Sequence, residues 1–87
     1  MPIRDEATRR EIEAEFERGL SPRKVGIEWR YGDLHYKVEG LEPARIPRAN
    51  VCWQSVLTVI RTIRGDLLRN GVKLDPWEPP PIQPTQS

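Results

Sequence analysis

The chain has 87 residues, 14 of them basic and 13 acidic, for a formal net charge of +1, with one cysteine, one histidine and nine prolines. That length allows one small domain at most, and a single cysteine excludes an internal disulfide framework or a cysteine-based zinc site. The near-neutral balance lacks the basic bias of a dedicated nucleic-acid binder, and no apolar run suits a signal peptide or a membrane span.

Asp5 to Arg18 read as a first helix, with Asp5 as cap and Glu6 favourable near the positive end of the helix dipole. Its apolar stripe is thin, carried by Ala7, Ile12 and Phe16, so it is expected to lie across something else as an outer helix. Glu11, Glu13, Glu15 and Glu17 are expected to form a solvated face. Arg10 is spaced to pair with Glu6 or Glu13. Gly19 is expected to stop the helix in a left-handed conformation, with Leu20 folding back beyond it.

After the Ser21-Pro22 turn, residues 25–39 alternate apolar and polar side chains on both sides of Gly32-Asp33, which reads as a two-residue type II′ hairpin. In that register Tyr31 opposes Leu34, Trp29 opposes Tyr36 and Ile27 opposes Val38. The other face then sets Glu28 against Lys37 and Arg30 against His35. A two-stranded ribbon with an aromatic face is not stable bare in water, so the chain's own helices or a partner must cover it.

Residues 40–47 read as a connector interrupted by Pro43 and Pro47. A second, longer helix is expected from a cap at Asn50 to Arg69 or Asn70, with Gly71 as its stop. Trp53, Val56, Leu57, Ile60, Ile63, Arg64 and Leu67 trace its core face, and Cys52 near its start is expected to be buried. Gly65 offers a place for close approach of another backbone. Five of the nine prolines fall between Pro76 and Pro84. The fold class that follows is α+β, a small single domain ordered helix, β-hairpin, long helix over residues 1–75, with a proline-rich flexible tail over 76–87. Trp77 is a candidate last anchor of that tail on the domain.

The residues point away from catalysis. His35 has no second-shell partner in the sequence, the helical glutamates do not converge, and no spacing suits a metal or a phosphate-cradling loop. No catalytic residue, metal or cofactor is therefore expected. A core of roughly seventy residues closes only marginally, which favours self-association and a protein partner. The expected function is a non-catalytic interaction module, homo-oligomeric, with an accessory, regulatory or inhibitory role and an intracellular location. Its interface candidates are Trp29, Tyr31, Tyr36, Trp53, Ile60, Arg64 and Trp77, since aromatics and arginine anchor interfaces. The alternative is a weakly basic nucleic-acid-binding domain using the polar hairpin face and its flanks, through Arg23, Lys24, Arg30, His35, Lys37 and Arg48.

Overall fold

The computed structural model describes residues 5–80, and the remaining proline-rich stretch, 81–87, lies outside the described residues. The elements in chain order are α1 (Glu6–Leu20), β1 (Val25–Arg30), β2 (Asp33–Val38), β3 (Ala44–Ile46), a short 3-10 turn (Arg48–Asn50) and α2 (Trp53–Arg69). The α+β class and the helix, hairpin, helix order are as expected; the third strand is an addition. The strands form one antiparallel sheet in the order β1-β2-β3, and both helices lie against one of its faces.

Asp5 caps α1, its carboxylate accepting the Ala7 N–H at 3.3 Å and the Thr8 hydroxyl at 2.9 Å. The helix continues through Gly19 to Leu20, so Gly19 is an interior residue and not a left-handed stop. The reason is tertiary. A Cβ on Gly19 would stand 2.5 Å from Ile60 Cγ2 and 3.2 Å from the Trp77 ring, so glycine is what lets α1 approach α2 here. Gly65, expected in that role, has nothing within 4 Å of its would-be Cβ.

Apart from Tyr31, the hairpin keeps its expected faces, but not its expected turn. Tyr31 (φ +53°) and Gly32 (φ +86°) are the two loop residues, and positive φ at both positions is the type I′ signature that matches the twist of the strands. Pairing runs Val25 with Val38, Ile27 with Tyr36, Trp29 with Leu34 and Arg30 with Asp33. Relative to the expected register each β1 residue meets a partner two positions earlier, which preserves side-chain facing. Asp33 is held in β2 by what comes later in the chain. Its carboxylate accepts the Arg48 backbone N–H at 2.6 Å and Arg45 Nη1 at 3.2 Å.

The core joins Ile12, Phe16 and Leu20 of α1 to Leu34 and Val38 of β2, Ile46 of β3, Val51, and Val56, Ile60 and Leu67 of α2. Phe16 stacks obliquely on Tyr36 at 5.3 Å between ring centres. Asn50 closes the 3-10 turn instead of capping α2, Val51 is buried, and the cap position falls to Cys52. Cys52 is therefore exposed, contrary to its expected burial, because it stands at the helix entrance, one residue past the buried apolar position.

The α1 glutamates are not uniformly solvated. Glu15 lies in the same helical row as Ile12, Phe16 and Gly19 and is buried, accepting from Trp77 Nε1 at 2.6 Å and from Arg18 Nη2 at 2.5 Å. Glu13 accepts the Trp29 indole N–H at 2.8 Å, with the Arg9 guanidinium 4.7 Å from the centre of that ring. Residues 75–78 are strapped down. The Asp75 N–H donates to the Ser21 carbonyl at 2.8 Å, Arg64 donates to the Gly19 carbonyl at 2.9 Å and the Asp75 carbonyl at 2.6 Å, and Arg18 donates to the Glu78 carbonyl at 3.0 Å.

Candidate functional site

The two edges of the sheet differ. β3 is three residues long and lies between Pro43 and Pro47, and a short strand bracketed by prolines is a poor template for a further strand. β1 has six regular residues, without proline or bulge. In a two-residue hairpin the closing pair is hydrogen-bonded and the pattern then alternates. The Glu39 N–H donating to the Lys24 carbonyl at 2.9 Å fits that phase. The inward bonds of β1 thus belong to Gly26, Glu28 and Arg30, while the backbone groups of Val25, Ile27 and Trp29 point away from β2. Among the described residues no backbone hydrogen bond reaches them beyond the sheet. The side chains of the same three residues are half-buried against the helices. This edge combines unpaired backbone with partly covered apolar side chains.

The outer sheet face carries the polar set. Glu28, His35 and Arg45 form one cross-strand row, and Gly26 faces Lys37. Glu28 pairs with Arg30 along its own strand at 2.7 Å, and that hydrogen bond holds the Glu28 carboxyl below its ordinary range and the Arg30 guanidinium above. Arg45 pairs with Asp33 at 3.2 Å. Lys37 Nζ donates to the Leu41 carbonyl at 3.4 Å. Arg30, His35 and Lys37 line one shallow concavity on this face. Arg23 and Lys24 line another at the far end of β1, beside Glu17 and Val25. Arg48 sits at the hairpin tip, its side chain laid over Gly32. The six nucleic-acid candidates therefore occupy three places, with acids among them.

The interface candidates also separate. Ile60 is fully buried in the core, Arg64 is spent on the strap, and Trp77 and Trp29 both donate their indole N–H groups within the chain. Trp53 and Tyr36 are half-buried, and burial pushes the Tyr36 hydroxyl above its ordinary value. Tyr31 leaves the ring-bearing face altogether and stands 97% exposed at the hairpin tip. With Leu68 it makes up the exposed large hydrophobics among the described residues. The open β1 edge is a backbone feature that none of the candidate side chains carries, and its signal in the sequence is the regular six-residue run without proline.

The Cys52 thiol is lowered chiefly by the hydrogen bond to the Ser55 hydroxyl, 3.3 Å away. Among the described residues no group of three or more His, Cys, Asp or Glu side chains could hold a metal ion, and no helix is long and apolar enough to cross a membrane. Comparison of the chain with protein-family models, with curated proteins and with solved structures found no match.

Proposed function

We propose that this protein is a non-catalytic protein-interaction module that works by adding a strand at the β1 edge. The observation that carries this is the outward row of Val25, Ile27 and Trp29, whose backbone groups lack partners among the described residues while their side chains form a ready apolar shelf. In strand addition the main chain supplies affinity and alternate side chains supply specificity. A chain acting by contact alone suits an accessory or regulatory role.

The test is a photo-crosslinking residue placed at Gly26 in the cells that naturally make the protein, with Thr62 on α2 as the control position. Adducts to polypeptide from Gly26 and none from Thr62 are expected. No adduct from Gly26, or adducts to nucleic acid alone, would overturn the proposal.

Tyr31 supports a second reading. A fully exposed ring in a left-handed backbone, beside Arg30 and Arg48, is the kind of platform on which an unpaired base stacks. Under that reading Arg30→Gln with Lys37→Gln weakens binding of single-stranded nucleic acid and flattens its salt dependence. Unchanged affinity would exclude it.

A further inference from the structure

We infer that the occupant of the β1 edge is a second copy of this chain, paired antiparallel with Ile27 opposite Ile27 on a two-fold axis perpendicular to the sheet. The inference rests on the strand-addition proposal and names its partner.

Hydrogen-bonding complementarity selects the register. Each copy offers outward groups at Val25, Ile27 and Trp29. With Ile27 on the axis, Val25 of one copy meets Trp29 of the other at both ends, and every outward group is used in about six interchain bonds. Moving the axis to Gly26 places Trp29 opposite Arg23, which lies outside β1 and whose N–H is already given to the Leu20 carbonyl, so only about four bonds run between strand residues. Moving it to Glu28 places Val25 opposite the left-handed Tyr31, again leaving about four, and sets Glu28 against Glu28. The Ile27 register also keeps the apolar face apolar across the junction. On the polar face Gly26 meets Glu28. Lys24 meets Arg30 at each margin, where Arg30 is already bridged to Glu28.

The helix above the edge agrees in charge. Arg9, near the start of α1, lies over Trp29, whereas Glu17, near its end, lies beside Val25. Placing Val25 opposite Trp29 of the second copy sets the Glu17 end of each α1 toward the Arg9 end of the other, twice by symmetry, with each Glu13 carboxylate between them held by its own Trp29 indole N–H.

The experiment uses two single-cysteine chains on a Cys52→Ser background, Gly26→Cys and Glu28→Cys. A Cβ at Gly26 meets nothing within 4 Å, so the first substitution leaves the fold undisturbed. In the Ile27 register these two positions face each other at a Cα separation of about 4.5 Å, within disulfide reach. Each position is then about 7–8 Å from its own copy, which is too far. Mild oxidation of the mixture should give the mixed disulfide as the main species, and each chain alone should stay uncrosslinked. Self-crosslinking of Gly26→Cys or of Glu28→Cys would place the axis elsewhere and overturn the inference.

A second readout uses the unmodified chain. Amide exchange at Ile27 and Trp29 should slow on the order of tenfold as concentration rises through the dimer range, while Glu28 and Arg30 stay slow throughout. Fast exchange at Ile27 at every concentration, with a monomeric mass, would overturn self-pairing. Polypeptide adducts from the Gly26 photo-crosslinker would in that case leave strand addition standing with a different partner.

Discussion

Gly19→Ala and Gly65→Ala are the same chemical change in two helices, and the structure gives them opposite signs. At Gly65 the new methyl meets nothing within 4 Å. Relief of glycine's backbone entropy in a helix interior should therefore stabilise the fold by about 1 kcal/mol. At Gly19 the methyl would stand 2.5 Å from Ile60 Cγ2 and 3.2 Å from Trp77 Cε2. Carbon atoms settle about 3.5–4.0 Å apart, so α1 and α2 must separate by about 1 Å at their closest approach or Ile60 must leave its rotamer. Overpacking of that kind costs about 1–3 kcal/mol, against a propensity gain of at most about 1 kcal/mol so near the helix end. The net expectation is a loss of about 1–2 kcal/mol. Urea unfolding followed by tryptophan fluorescence should separate the two variants by about 2–3 kcal/mol, and each kcal/mol moves Tm by about 4–8 °C in a domain of this size. The native fluorescence of Gly19→Ala should change as well, because the displaced ring is the one bonded to Glu15. Equal midpoints, or a more stable Gly19→Ala, would refute the close helix approach at Gly19.

Tyr31→Asn should stabilise the fold by about 0.5–1 kcal/mol, since the left-handed backbone at φ +53° suits asparagine and the exposed ring gives up no core contact; a lower urea midpoint would contradict the type I′ turn. Tyr36 has a folded-state pKa raised above 10.0 by burial. Its neutral form is thus favoured by folding, and its contribution is complete below the unfolded value and lost as pH rises through the folded one. Stability should fall more steeply as pH rises past about 10 in the natural chain than in Tyr36→Phe, and parallel curves would show that Tyr36 is not shielded.

Much of the fold is legible in the residues because period and burial agree. The arms of the hairpin alternate strictly, and α2 repeats its apolar positions at helical spacing, so their faces follow from local pattern alone. The turn does not. Type I′ geometry at Tyr31-Gly32 carries a penalty at Tyr31, and it prevails because Asp33 is claimed by Arg48 and Arg45, residues from a stretch that reads as a proline-bracketed connector. That stretch hides β3 for the same reason. Three residues are too few to display a period, and their evidence is the pairing of His35 with Arg45 and Leu34 with Ile46. Glu15 was open to detection, since an acid in the row of Ile12, Phe16 and Gly19 must find donors when the stripe is buried. Which tryptophan supplies one is a fact of tertiary structure. The different uses of Gly19 and Gly65 are likewise fixed by neighbours that α1 and α2 acquire only on packing.

The helices lie over the ring-bearing sheet face within one chain, and what stays open is the backbone of the edge strand. Here the difference between the two edges decides what association can look like. A sheet open on both sides adds copies without limit, the geometry of fibrils. A sheet closed on both sides adds none. In this chain β3 is short and flanked by Pro43 and Pro47, while β1 runs six residues without interruption. Pairing of β1 with β1 consumes the open edge of each copy and exposes only the two β3 edges, so growth ends at two. Isologous pairing of this kind is closed by its symmetry, and heterologous pairing of β1 on β3 is limited to three residues with a proline on either side. The placement of the prolines thus supplies a physical reason why an exposed strand in a small protein can persist without driving aggregation.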